Sequence, residues 1–307
     1  MRLFIVVSVL WISLSLVGCG GSSSSMSPSN MAEVSVPAQD HVFLVVLENH
    51  SFSQVIGNPS MPYLNSLAAQ QGLATNYFAN VHPSIGNYFM LTVGSIETVD
   101  DTFSGTITDN NIVRALTGAG KTWKAYLESV PTTGYVGDDV SPYLKHHNPF
   151  SYLSDVVSSS TQAANMVPFS QLSADLASGK LPSFGYIAPN AQHDAHDCPG
   201  GALTCADSDL LTAADNWLKN NIDPLIKSPA FGNSVLIITW DESTLTDLAN
   251  IGGQVATVVA GPRVRPGFRS TTHHQHQDTL RSILQALQVS NMPNAAANAT
   301  AMGEFFQ

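Results

Sequence analysis

Two stretches of this chain end in the same way. Val42-Phe43-Leu44-Val45-Val46-Leu47 is an unbroken apolar run that stops at Glu48-Asn49, and Val235-Leu236-Ile237-Ile238-Thr239-Trp240 stops at Asp241-Glu242. Apolar runs of this length, rich in branched residues, read as strands buried on both faces, the kind found inside a parallel sheet. A strand covered on both faces needs a layer above and a layer below, which confines the chain to an α/β architecture. In open sheets of that class ligands collect beyond the carboxyl ends of the strands. A single polar strand end is an ordinary loop start. Two acidic ends at one edge are different, because carboxylates brought together repel and a cation between them keeps them ionised. An all-oxygen ligand set favours Mg, Ca or Mn over zinc.

The remaining sequence alternates helix and strand patterns. Proline in a first turn opens a helix at Pro62, closed by Gly72, and 74–79 reads as a strand. A turn at 81–88 enters a helix running to about Gly94, and 111–117 is a short helix ended by Gly118 and Gly120. Strands are expected at 121–128, 183–188 and 255–260, with helices at 169–177, 208–222 and 278–287. Residues 129–165 show little periodicity, and the Ala- and Asn-rich tail after Asn291 reads as peripheral. This alternation predicts a three-layer α/β/α sandwich with a mostly parallel central sheet.

At 307 residues one large domain suffices, and 44% apolar residues provide its core. Charged residues make up only 11%, with a formal net charge of -11. An acidic chain without a Lys/Arg cluster argues against binding nucleic acid through its phosphates. The N-terminus begins Met1-Arg2, and residues 3–17 are almost wholly apolar, too short a run for a spanning helix. Residues 1–18 therefore read as a signal peptide. Leu16-Val17-Gly18-Cys19 looks like a bacterial lipobox, with cleavage before Cys19, a lipid on its sulfur and a Ser-rich tether over 19–40. The domain then spans 41–307, lipid-anchored in a bacterial cell envelope and facing periplasm or exterior. Cys198 and Cys205 remain, and an even pair in an oxidising compartment favours a disulfide. The competing metal pair lacks the CxxC spacing.

A hard cation of this kind most often serves phosphoryl chemistry and needs a nucleophile beside it. Ser84 lies in a turn opening a helix, where free N–H groups and the dipole favour an anionic group. Coordination lowers a hydroxyl pKa and makes an alkoxide accessible. Asn87, one turn later, is placed to donate to a phosphoryl oxygen. Leaving-group protonation needs an acid, and three loops supply imidazoles: His146/His147, His193/His196 and His273/His274/His276. His196, flanked by Asp194 and Asp197, is the first choice.

Taken in order, Glu48-Asn49-His50-Ser51-Phe52, His82-Pro83-Ser84 with Asn87-Tyr88, His146-His147-Asn148-Pro149, Asp194 with His196-Asp197, and Thr239-Trp240-Asp241-Glu242 form a set. They resemble the bacterial phosphoesterase family, which holds metal-dependent acid phosphatases and phosphocholine-preferring phospholipases C of the alkaline phosphatase superfamily. The match runs over roughly residues 42–288. The resemblance implies an alkaline phosphatase-like fold and one divalent metal ion held by Glu48, Asn49, Asp241, Glu242 and the Ser84 oxygen. It further implies a phosphoserine at Ser84, Asn87 assisting the phosphoryl oxygens, and His147 and His196 near the leaving group. The chain departs from the family pattern at Gly86, where proline is common, at Ala195, where glycine is usual, and at Ser243, where an aromatic is usual. The expected activity is phosphomonoester hydrolysis. A phospholipase C-type phosphodiesterase is the alternative, and a non-catalytic lipoprotein that binds phosphate ligands is the reading from another class.

Overall fold

The computed structural model describes residues 34–307. The signal peptide, Cys19 and the tether up to residue 33 lie outside the described residues. Eight strands form one sheet: β1 His41–Leu47, β2 Gly72–Ala74, β3 Trp123–Leu127, β4 Met166–Pro168, β5 Phe184–Ala188, β6 Ser234–Trp240, β7 Thr257–Ala260 and β8 Arg269–Ser270. Their order is β4-β3-β5-β1-β6-β7-β2-β8. Only β7 runs against its neighbours. The two apolar runs occupy the middle of this order, paired directly with each other. Every side chain from Val42 to Leu47 is buried, each contributing roughly 1.5–3 kcal/mol relative to exposure. The best-buried strands thus fix the sheet's centre, and with it the edge where the acidic doublets emerge.

Parallel crossovers are right-handed, and chain order then assigns the layers. Helices α1 Pro62–Gln70, α4 Gln171–Ser178 and α5 Asp207–Asn221 follow crossovers moving toward β8 and cover one face. Helices α2 Ile85–Thr92 and α3 Ile112–Gly118 lie on the return path and cover the other, joined there by α6 His276–Ala286. Contacts agree: α1 packs on α5, and α2 packs on α6. The described residues fall in a single contact-dense unit, and none of their helices is long and apolar enough to cross a membrane.

The structure differs from the sequence expectation in four places. The strand expected at 74–79 is Gly72–Ala74, continued only by isolated bridges at Tyr77 and Phe78. β4 and β8, of three and two residues, are too short to show a period. Packing begins before residue 41: Val36 is buried, and the Gln39 amide donates to the Ala286 carbonyl at 2.8 Å. The tail is not peripheral, since Ala296, Ala301, Met302 and Phe305 are all buried. Gly72 shows how closely the tail fits, because a Cβ there would stand 2.5 Å from the Phe305 ring. The Cys198–Cys205 disulfide is formed.

Candidate active site

Register puts the two acidic doublets side by side. Leu47 pairs with Trp240 across the β1–β6 ladder, so Glu48 and Asp241 leave adjacent strands about 4.8 Å apart. The Asp241 amide donates to the Leu47 carbonyl at 2.8 Å, carrying the pairing one residue past the strands. Asn49 then turns at φ 58°, a left-handed conformation that asparagine tolerates. Its backbone N–H donates to Asp241 Oδ1 at 3.1 Å, and its side-chain Nδ2 donates to Glu48 Oε2 at 3.1 Å.

Glu48 is the hub. Ser84, the N-cap of α2, donates its hydroxyl to Glu48 Oε2 at 3.1 Å, and the same hydroxyl stands beside Asp241 and Glu242. Tyr88 lies four residues on, on the same helix face, and donates its hydroxyl to Glu48 Oε1. His147 Nε2 lies 3.2 Å from that oxygen. The His147 ring stacks on Tyr88 and contacts Asp194 Oδ2 through Nδ1 at 3.0 Å. Tyr186 fixes the backbone there by donating to the His147 carbonyl at 2.6 Å. Asp194 also accepts from the His196 amide at 2.9 Å through Oδ1, and its carbonyl accepts from the Glu48 amide at 2.8 Å. His196 is the solvent-facing member, its Nδ1 2.8 Å from Asp197 Oδ1. One ligand atom each from Glu48, His147 and His196 lies within 4.8 Å of the others.

Four carboxylates are therefore buried close together: Glu48, Asp194, Asp241 and Glu242. Burial is the largest influence on each and raises its pKa above the ordinary carboxylate range; mutual repulsion adds to this at Glu48 and Glu242. Imidazoles stand beside them: His147 next to Glu48 and Asp194, and His82 Nδ1 2.9 Å from Glu242 Oε2. Burial, then the neighbouring His196, pushes His147 down to about 3, so this imidazole is neutral at neutral pH. Burial pushes Asp194 up to about 8, so the His147 tautomer follows the Asp194 charge: the ionised carboxylate can only accept, which puts the His147 proton on Nδ1 and leaves a lone pair on Nε2.

Asp241 Oδ2 is buried without a hydrogen-bond partner, while Glu242 Oε2 faces His82 Nδ1 at 2.9 Å and His147 Nε2 faces Glu48 Oε1 at 3.2 Å. Buried polar atoms are almost always satisfied, and Asp241 Oδ2 is left as an open acceptor among buried carboxylates. A divalent cation fits that donor set. Asp241, Glu242, Glu48 and the side-chain oxygens of Asn49 and Ser84 are the oxygen ligands at hand, and His147 and His196 add nitrogen at the Glu48 side.

Other expected residues take different positions. Asn87 does not face the cluster: its Oδ1 accepts from the Asn80 and Val81 amides at 2.9 and 3.2 Å, and its Nδ2 donates to the Val81 carbonyl at 2.7 Å. It staples the segment leading into Ser84. His276 is also a support, contacting the Asp241 carbonyl through Nε2 at 2.6 Å and Tyr77 through Nδ1 at 3.0 Å. His193 pairs with Glu128, His273 stacks on Phe78, and His274 sits between Asp278 and Glu304. Of the candidate acids, His147 and His196 alone carry a ligand atom of the Glu48 group. Tyr88 and the orienting role of Asp194 were not assigned from sequence, although the four-residue spacing from Ser84 to Tyr88 was a usable signal.

The three departures from the family pattern have local consequences. A Cβ on Gly86 would lie 2.7 Å from Val81 Cγ1 and 2.9 Å from Ile96 Cγ2, so glycine lets the following loop close over the first turn of α2. Ala195 adopts φ 78°, where glycine is the relaxed choice. Ser243 is buried and donates to the Thr244 and Asp247 carbonyls at 3.1 and 2.9 Å, so it braces its own loop.

A profile of the Phosphoesterase family matches residues 58–290. The chain belongs to the phosphoesterase family. It is 32% identical to a phosphatidylinositol-3-phosphatase of Mycobacterium tuberculosis over 82% of this chain and 79% of that relative. It is also 28% identical to an acid phosphatase of Aspergillus fumigatus over 88% of this chain, which spans 60% of that protein's length. Among solved structures, an alkaline phosphatase superfamily protein from Vibrio parahaemolyticus superposes with a TM-score of 0.61 at 12% identity, covering 86% of this chain and 71% of that one. A lipoteichoic acid synthase from Listeria monocytogenes gives 0.59 at 10% identity, covering 87% and 74%. The fold of this phosphoesterase is thus that of the alkaline phosphatase superfamily, and the chain is a hydrolase of phosphoric esters.

Proposed function

We propose that this phosphoesterase is a metal-dependent phosphomonoesterase that acts through a phosphoserine at Ser84. One observation carries the reading: the Ser84 hydroxyl is hydrogen-bonded to buried Glu48 at 3.1 Å, beside Glu242 and a buried Asp241 Oδ2 that has no partner. Glu48, Asn49, Asp241, Glu242 and the Ser84 oxygen would hold one divalent ion. When bound, that ion neutralises the carboxylates and polarises the phosphoryl group.

The chain's own groups account for the rest. The Ser84 proton is already directed at Glu48 Oε2, and Tyr88 pins the other Glu48 oxygen. Attack passes the Ser84 proton to Glu48 Oε2, which returns it when phosphate leaves, and it forms the bond from Ser84 Oγ to phosphorus as the bond from phosphorus to the alkoxy oxygen breaks. His196, at the solvent side, gives its proton to the departing alcohol and later takes one from the attacking water, which releases phosphate and restores the hydroxyl. His147, held by Asp194, keeps Nε2 against Glu48 Oε1 at 3.2 Å.

The test uses p-nitrophenyl phosphate and its choline diester, each with and without chelator. The monoester should be hydrolysed, with activity lost on chelation and restored by a divalent ion. Ser84→Ala should lower kcat by about a thousandfold or more. Preferred cleavage of the diester would establish the phospholipase C-type reading, and turnover of neither would leave the binding-lipoprotein reading. The sequence also supports a lipid anchor at Cys19 in a bacterial envelope. Labelled palmitate should enter the chain and be absent from Cys19→Ser.

A further inference from the structure

Eight large aliphatic side chains are exposed among the described residues. Seven of them, Val99, Val136, Val140, Leu203, Leu245, Leu248 and Ile251, lie in the connections 95–110, 129–144, 189–206 and 243–254. The last three connections leave the carboxyl ends of β3, β5 and β6. The first closes over the start of α2, where Asp101 Oδ1 accepts from the Ile85 amide at 3.0 Å. All four loops therefore stand around Ser84. The eighth side chain, Val34, is at the opposite end, next to the segment that pairs with the end of α6.

A single exposed leucine is ordinary, but confinement of nearly all of them to the catalytic end is not. Leu203 is 99% exposed in the loop closed by the disulfide. Leu245, Leu248 and Ile251 are 71%, 67% and 67% exposed within one loop. That loop is braced, with Asp247 accepting from the Ala249 and Gln254 amides at 3.2 Å each and from Ser243 Oγ at 2.9 Å. Its apolar side chains are thus held outward.

We propose that this rim docks on a zwitterionic lipid surface. The exposed side chains are separate aliphatic tips with no Tyr, Trp or Arg among them. A protein interface is built around a packed central cluster rich in those types. A bilayer interface instead accepts isolated aliphatic tips a few ångströms deep. Charge selects the lipid. The four loops contain no Lys or Arg, and Asp138, Asp139, Asp197 and Asp247 are among their acids. Anionic membranes attract basic segments and repel this rim, which leaves a net-neutral headgroup layer as its partner. The surface is independent of which ester is hydrolysed and goes beyond the phosphomonoesterase reading.

Residues 34–307, which carry the complete sheet and both helix layers, serve as the test protein, free of leader and lipid. Flotation is measured with phosphatidylcholine vesicles and with vesicles half phosphatidylglycerol. The comparison protein carries Leu203→Asn, Leu245→Asn, Leu248→Asn and Ile251→Asn, all at exposed positions outside the catalytic cluster. The unchanged chain should float with phosphatidylcholine and bind the anionic vesicles more weakly. The fourfold variant should lose at least about tenfold in partitioning while hydrolysing p-nitrophenyl phosphate at the unchanged rate. No flotation with phosphatidylcholine, equal flotation of the variant, or preference for anionic vesicles overturns the proposal. Flotation reports the surface and hydrolysis reports the site, so failure of one is distinguishable from failure of the other.

Discussion

Replacing Asp194 by asparagine isolates the orientation of His147 from everything else in the site. The carboxylate accepts from His147 Nδ1 at 3.0 Å through Oδ2 and from the His196 amide at 2.9 Å through Oδ1. In Asp194→Asn the side chain would keep the second bond, and the backbone its link to Glu48, but an NH2 group would stand in place of Oδ2. Two donors then face each other, and His147 relaxes by moving its proton to Nε2. That proton points at Glu48 Oε1, 3.2 Å away, and removes the lone pair from the reacting side. Where Asp194 is ionised, toward and above its raised pKa of about 8, the lost bond is worth roughly 1.5–3 kcal/mol. At about 1.4 kcal/mol per decade this is a fall of about ten- to a hundredfold, the range seen when orienting partners of site histidines are removed. The carboxyl is buried and its pKa raised to about 8, burial being the main cause, so the site already favours a neutral side chain there and the fold should survive the isosteric swap. The assay is kcat/KM for p-nitrophenyl phosphate between about pH 5 and pH 8, with thermal melting alongside. Activity within about twofold of the parent at every pH, with an unchanged melting point, would refute the orienting role.

Asn87→Ala leaves the buried Val81 N–H and the half-buried Asn80 N–H without an acceptor, at roughly 1–3 kcal/mol for the buried one. It should lower the melting temperature as well as activity, whereas Ser84→Ala should lower activity alone; an Asn87→Ala chain of parental stability but reduced activity would instead indicate direct contact with substrate. Tyr88→Phe frees Glu48 Oε1 of its hydroxyl partner, and kcat should fall by about tenfold with KM little changed; a rise in KM alone counts against it. His274 gives a pH signature for the tail. Burial lowers its pKa, but the ion pairs with Asp278 and Glu304 outweigh this and raise it from 6.5 to about 9. Its contribution of about 3 kcal/mol is fully present below pH 6.5 and lost as pH rises through about 9. Urea midpoints should fall across that window in the parent and stay flat in His274→Asn, and a flat parental profile contradicts the ion-pair account.

The centre of the sheet was legible because β1, β5 and β6 are buried on both faces and consist of little but apolar residues. Their polar ends were legible for the same reason, since an acid terminating such a run has nowhere to go except the sheet edge. Short strands were not, because two or three residues at β8 and β4 set up no period and are fixed by neighbours distant in sequence. Composition misleads at the tail, where the Ala and Asn content hides Met302, packed on α6, and Phe305, which closes the core beside β2. Asn87 shows a different limit. Helical spacing places it within a turn of Ser84, but not the direction of its amide, and the backbone groups of Asn80 and Val81 claim it. His276 likewise supports the site through the Asp241 carbonyl, a contact no side-chain motif encodes.

The covalent step at Ser84 is the centre of the account, and rapid acid quench with a phosphorus-labelled monoester tests it most directly. Within the first turnover, label should appear on the protein in the peptide containing Ser84, and should decay as phosphate is released. Release of labelled phosphate at full rate from a chain that never carries label, or label on a histidine-containing peptide, would contradict it.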